Sequence, residues 1–353
     1  MELLEILGKA VEMDGADIFI IPGAPVKVKV HASFVDLTQE RMSPEACEQL
    51  IRGMYELARR DLERMAKGDG DDDFSFAVRD ISRFRCNTYY QRGSLAAVCR
   101  VVRAELPDPQ ACHIPQAVMD LTDTRSGMIL VTGPAGSGKS TTLACMVDRI
   151  NRTRSGHIVT IEDPIEHLHR HQKALVTQRE IPEDASSFPG ALRAALREAP
   201  DVIMLGEMRD EETVRTAITA AETGHLLLSS LHTSGAAKTI DRIVDMFPAE
   251  QQSQIRMQLS TALKAVVSQK LIPTADQKRI AVFEVMCVNP AIQNLIRDAK
   301  TYQIDNIIYS GGGQGMVSMD SQLLQLQREG TITKDVAAGY AMNPELMRKR
   351  LGM

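Results

Sequence analysis

Residues 128–141 read MILVTGPAGSGKST, and this run constrains the fold more than any other part of the chain. Its first five residues suit a buried strand. The next eight match GxxxxGK[ST] in full, and TTLACMVDRI continues as an amphipathic helix. A strand, a glycine-rich turn and a helix in this order bring backbone N–H groups together on a phosphate, and the helix N-terminus adds its partial positive charge. The run offers Gly133, Ala135, Gly136, Ser137, Gly138, Lys139, Ser140 and Thr141 as the nucleotide-binding set. Lys139 is expected to reach the β- and γ-phosphates of ATP, and the Ser140 hydroxyl to bind Mg²⁺.

A phosphate loop of this kind needs a parallel sheet around it, and the surrounding sequence supplies one. From about 116 to 285, apolar runs alternate with helical patterns: MILVT (128–132), HIVTI (157–161), VIMLG (202–206), HLLLSSL (225–231) and IAVFEVM (280–286). Their nearly unbroken apolar character suits strands covered on both faces. The first hundred residues differ. ADIFIIP (16–22) and VKVKV (26–30) flank a Pro-Gly turn. Ser43-Pro44 opens a helix expected to run to about residue 66, and DFSFAV, RFRCNTYY and LAAVCRVV follow as strands. Three prolines fall within 105–115. The expected domains are therefore an α+β unit over 1–104, a linker and hinge over 105–115, and an α/β unit over 116–353, helical after Pro290.

Two acidic segments lie where the phosphate loop needs them. DVIMLGE delivers Glu207 just past one strand, and TIEDP places Glu162 and Asp163 past another. Glu207 and Glu162 are expected to hold the Mg²⁺ shell and polarise the attacking water. The sequence does not rank one against the other for these tasks. His225 and His232 flank LLLSSL, and their spacing puts them on opposite faces of an extended strand, which argues against a shared metal site. A γ-phosphate sensor at the strand's far end is the functional expectation.

Composition removes several other classes. The chain has 353 residues, a net charge of −5 and a pI near 6.0, with 4% aromatic residues and no Trp. Nucleic-acid binding proteins usually carry a basic excess and base-stacking aromatics, so such a role is disfavoured. The six cysteines form no CxxC pair, which argues for a reducing compartment without a zinc knuckle. The start lacks a signal-peptide pattern, and no apolar run reaches the ~18 residues needed to span a bilayer. The expected location is cytoplasmic. His167, His169 and His171 read as a solvated loop, and the GDGDDD stretch fails the calcium-loop pattern.

In order and spacing, GPAGSGKSTT, TIEDPIEH, REAPDVIMLGEMRD and TAAETGHLLLSSLHT resemble the Walker A, Asp box, Walker B and His box of the secretion and type IV pilus ATPases. Within that superfamily the chain is most similar to the PilT-type retraction ATPases. AIQNLIRD (291–298) resembles their AIRNLIRE motif, and GMVSMD (315–320) their GMQTMD segment. The four-cysteine zinc motif and long N-terminal extension of assembly ATPases have no counterpart here. The resemblance implies a homohexamer, a PAS-like N-terminal domain and a RecA-like ATPase domain. It also implies cytoplasmic placement against the inner membrane, through a pilus platform protein. Arg85 and Arg100 fit the arginines that help neutralise the phosphates, and His225 and His232 fit the His box. Gln293 stands where the motif has arginine, which weakens the expected partner contact and keeps open an accessory, PilU-like retraction ATPase that works beside a related motor. A nucleic-acid translocase and a non-hydrolysing regulator are the remaining alternatives.

Overall fold

In a computed structural model, residues 2–31, 33–62, 70–102, 106–312 and 315–353 are described. The chain divides into two compact units: Met1–Glu105 with Pro164–Leu168, and Leu106–Asp163 with His169–Met353. The expected boundary near residue 105, and Gly68 and Asp69 of the acidic stretch, lie outside the described residues.

In the first unit, short alternating strands build one antiparallel sheet. Its order is β3-β2-β1-β6-β5-β4, with β1 Asp17–Ile20, β2 Lys27–Val30, β3 Ser33–Asp36, β4 Asp71–Val78, β5 Ser82–Gln91 and β6 Ser94–Val102. Ile18 and Ile20 of β1, with Phe84 and Cys86 of β5, point inward and are buried. They pack with Ile6 and Leu7 of helix Leu3–Glu12 and with Ile51 and Met54 of helix Pro44–Leu57. Ser43 caps that second helix by accepting the Ala46 N–H, and Pro44 sits at its first position. The helix stops at Leu57, short of the expected 66, where Arg59 turns to a φ of 55°. Cys86 and Cys99 lie opposite one another on β5 and β6 with their sulfurs bonded. Strand pairing, not a CxxC spacing, brings them together.

The second unit is the expected α/β sheet, with two strands that the apolar pattern does not announce. Its order is β13-β12-β7-β11-β10-β8-β9. The ranges are β7 Gly127–Thr132, β8 Gly156–Glu162, β9 Ala174–Glu180, β10 Val202–Leu205, β11 Leu226–Leu231, β12 Leu263–Pro273 and β13 Arg279–Cys287. From β12 to β9 the neighbours are parallel, while β13 closes one edge antiparallel to β12. β7, β10 and β11 are buried along their whole length, as expected of central strands under helices on both faces. Leu130, Ile203 and Leu227 serve one apolar layer and Ile129, Val131 and Leu228 the other. β9 and β12 carry polar residues within their runs (TQRE and SQK), which hides them from an apolar scan. A further core of Ile272, Val282, Leu323, Met347 and Leu351 fixes the C-terminal helices against β12 and β13.

Residues 106–115 pack into the second unit instead of standing free as a linker. Ile114 is buried in the layer with Val118 and Leu143, and the Cys145 thiol donates to the Pro107 carbonyl at 3.3 Å. Burying a Leu- or Ile-sized side chain stabilises by about 1.5–3 kcal/mol, enough to hold a short proline-rich strap in place.

Candidate functional site

Parallel pairing aligns the C-terminal ends of five adjacent strands, the edge where open α/β sheets bind ligands. β7 ends in the phosphate loop, β8 in Glu162, β10 just before Glu207 and β11 just before His232, while β12 carries Gln269. The register holds them level. Thr132 lies opposite Leu231 and Ser268, and the Gly206 N–H donates to the Ile161 carbonyl at 2.8 Å.

The loop's glycines answer to close approach and to backbone conformation. A Cβ on Gly133 would lie 2.2 Å from the Gln269 carbonyl oxygen and 2.7 Å from Ser137 Oγ. Gly136 and Gly138 have φ of 73° and 89°, in the left-handed region that side chains disfavour. Gly138 also lies against the side chain of Gln269, whose Oε1 accepts the Thr142 hydroxyl at 2.7 Å. This bond ties the helix Lys139–Thr153 to β12. Ala135 is exposed, Ser140 is exposed in the first turn of that helix, and Thr141 is half-buried.

Lys139 is buried, and its Nζ donates to the carbonyls of Gly133 and Pro134, both at 3.0 Å. The same Nζ is 3.4 Å from His232 Nδ1, and His232 Nε2 is 3.3 Å from Glu207 Oε2. An ammonium only donates, so Nδ1 must accept; the proton then sits on Nε2 and points at Glu207. Glu207 Oε1 is 2.5 Å from Arg209, and this contact raises the guanidinium above its ordinary value. A continuous polar chain therefore runs from the phosphate-loop lysine through His232 to Glu207 and Arg209. Glu162 is buried at the end of β8, where Oε1 accepts the Thr160 hydroxyl at 2.7 Å and Gln178 Nε2 at 3.3 Å.

The arrangement fits a nucleoside triphosphate. It combines a buried lysine, a glycine cradle and the Ser137 hydroxyl, which is buried with no hydrogen-bond partner among the described residues. The hydroxyl and carboxylate donors around it, Ser140, Glu207 and Glu162, are the oxygen set a hard divalent cation such as Mg²⁺ takes.

Within the second unit, His225 stands apart from this cluster. His225 precedes β11, at the opposite end of the strand from His232, and about six residues of extended chain separate the ends by about 20 Å. Its Nδ1 faces the Ala220 carbonyl at 3.0 Å and its own carbonyl accepts the Gly127 N–H, so it terminates a helix and starts a strand; it is not placed to sense a γ-phosphate. Arg85 and Arg100 belong to the first unit, opposite one another on β5 and β6 and both exposed. Arg100 Nε pairs with Asp17 Oδ1 at 2.8 Å. Two histidines of the HLHRH stretch have structural partners: the His169 N–H donates to Gln178 Oε1 and the Val176 N–H to His171 Nδ1.

Gln269, Thr142 and Arg209 are site residues that motif reading does not find. Gln269 did carry a signal: Ser268-Gln269 is a polar pair inside the apolar run AVV…LIP.

Comparison with known proteins places this geometry. The type II/IV secretion system protein family matches residues 3–332. The type IV pilus retraction ATPase PilT of Pseudomonas aeruginosa is 41% identical over 349 residues, covering 98% of this chain and 99% of that protein. The type IV pilus ATPase PilU of the same organism is 39% identical, covering 97% and 89%. A crystal structure of the pilus retraction motor PilT with bound ADP superposes with a TM-score of 0.89 at 45% identity, over 99% of both chains.

Proposed function

The chain belongs to the type II/IV secretion system protein family, and from that premise we propose that it is a motor ATPase that powers type IV pilus retraction. The observation that carries this reading is similarity to a retraction ATPase along nearly the whole of both chains. The unbroken connection Lys139–His232–Glu207 supports it, because a hydrolase needs a base-side carboxylate tied to its phosphate site.

Each residue then has a task. Backbone N–H groups of Gly136 to Thr141 and the Lys139 ammonium bind the phosphates. Ser140 and one of the two glutamates would hold Mg²⁺, which supplies charge neutralisation when bound. The second glutamate orients the attacking water. His232 donates to Glu207 from Nε2, which holds that carboxylate in place. Arg85 and Arg100 are assigned to charge neutralisation, worth about 10³-fold or more where an arginine meets developing phosphate charge. The working form in this reading is a homohexamer that acts on an inner-membrane platform protein from the cytoplasmic side. Among the described residues no helix is long and apolar enough to cross a membrane.

An accessory retraction role is the second reading, favoured by the similarity to PilU and by Gln293. One experiment separates the two. The gene is replaced by its Lys139→Ala form in the organism that carries it, surface pili are counted by electron microscopy, and twitching is scored. Abundant pili without motility are expected of a retraction motor. Normal motility would indicate the accessory role, and bald cells would overturn retraction.

A further inference from the structure

The C-terminal helices enclose a cavity of about 720 Å³ that the ATPase site does not use. Helix Ile304–Ser310 contributes Asp305 and Tyr309, helix Pro344–Leu351 contributes Glu345 and Arg350, and β13 contributes Glu284. We propose that this cavity docks an arginine-bearing segment of a partner protein chain.

Charge and ring geometry carry the inference. Among the described residues, carboxylates outnumber cations on the wall: Glu284, Asp305, Asp320 and Glu345 against Arg350. Asp320 is already engaged, since it accepts the N–H groups of Met342 at 2.6 Å and Asn343 at 3.1 Å. Glu284 is 5% exposed and spends Oε1 on the Ala236 N–H at 3.0 Å; among the described residues no donor meets Oε2. Asp305 accepts no hydrogen bond among the described residues. Burial pushes the Glu284 carboxyl up to about 7 and raises Asp305 as well, in spite of Lys270 on β12 and Lys238 on helix Ala236–Val244. Two carboxyls held above their ordinary values beside a ligand-sized cavity are short of a cation.

The rings select the kind of cation. Tyr302 and Tyr309 are 72% and 55% exposed, and Tyr302 is the most exposed of the large hydrophobic and aromatic side chains among the described residues. The chain's own Arg350 guanidinium already lies 5.0 Å from the Tyr309 ring centroid. Tyr302 offers a second face of the same kind, with no guanidinium on it among the described residues. A planar cation that stacks on an aromatic ring and donates to carboxylates is an arginine side chain.

The probe is an amidated tetra-arginine peptide, titrated calorimetrically into the full chain at low salt. Binding of one peptide per chain is expected, with affinity about tenfold lower in Asp305→Asn and in Tyr302→Ala. Both variants should keep basal ATP turnover, which reports an intact fold. Affinity should fall as the pH drops from 8 to 6, as Glu284 takes up a proton, and Glu284→Gln should remove most of that dependence. Asp73→Asn, on the first unit, controls for general attraction to an acidic protein. Equal affinity in the cavity variants and the wild type, an equal loss in Asp73→Asn, or no binding at millimolar peptide would each overturn the proposal.

Discussion

His232 stands between Lys139 and Glu207, and the lysine fixes which nitrogen of its ring carries the proton. Because Nδ1 faces an ammonium at 3.4 Å, Nε2 holds the hydrogen and donates it to Glu207 Oε2 at 3.3 Å. His232→Ala therefore removes a donor from Glu207 and should lower kcat about tenfold or more, as expected for loss of one positioned polar contact at a reacting centre. His225→Ala, at the other end of β11, should leave kcat within about twofold of wild type. A steady-state phosphate-release assay on both variants distinguishes the two histidines that one motif groups together.

Lys139→Ala should abolish turnover, with a loss of about 10²-fold or more in kcat, while circular dichroism stays that of the wild type. The carbonyls of Gly133 and Pro134 that accept from the lysine lie in its own loop, where water can satisfy them once the side chain is gone. Turnover retained in this variant would overturn the assignment of the site.

Gly133 and Gly136 should respond differently to alanine. At Gly133 the new Cβ meets the Gln269 carbonyl at 2.2 Å, so the loop or β12 must shift and nucleotide binding should be lost. At Gly136 nothing lies within 4 Å, so only the left-handed backbone is strained, at about 1–2 kcal/mol. Binding of a fluorescent ADP analogue, with denaturation midpoints for both variants, tests the contrast.

Thr142→Val keeps the shape of the side chain but removes the donor that Gln269 Oε1 accepts in a buried position. The unsatisfied carbonyl should destabilise the fold by about 1–3 kcal/mol, read as a lower urea midpoint at unchanged m-value.

Stability should depend on pH through Glu284. Burial raises its folded-state value to about 7, from 4.5 in the unfolded chain, so between these values the folded state binds the extra proton. Stability from this group is present below pH 4.5 and is lost as the pH rises through 7, by about 3 kcal/mol in all. Glu284→Gln keeps an oxygen for the Ala236 N–H and should flatten that part of the profile. The difference between wild-type and variant unfolding energies at pH 5 and pH 8 measures it.

The parts of the site that were legible in the sequence are those whose neighbours in space are also neighbours in the chain. The phosphate loop is one unbroken segment, so its role and its setting between β7 and a helix can both be read directly. Glu162 and Glu207 are legible as residues just past apolar strands. Which end of β11 faces the phosphates is not: a histidine at either end fits the same string, and only the parallel register of β11 with β7 chooses His232. Gln269 is harder still, because its meaning depends on β12 lying beside β7, a pairing of segments far apart in sequence. In the first unit β3 and the paired cysteines were hidden for the same reason, since a four-residue edge strand and a cross-strand contact leave little trace in a local pattern.

β8, β10, β11, β7 and β12 lie side by side, and each supplies one group to the site. The sheet therefore acts as a comb whose teeth are spaced by the hydrogen-bonding distance between strands, about 4.8 Å. The lateral distances among Glu162, Glu207, His232, the phosphate loop and Gln269 follow from that pitch, not from the lengths of the connections. Crossover segments on the far side can lengthen or shorten without altering the pitch, whereas one strand inserted between β10 and β11 would part His232 from Glu207 and leave every motif intact.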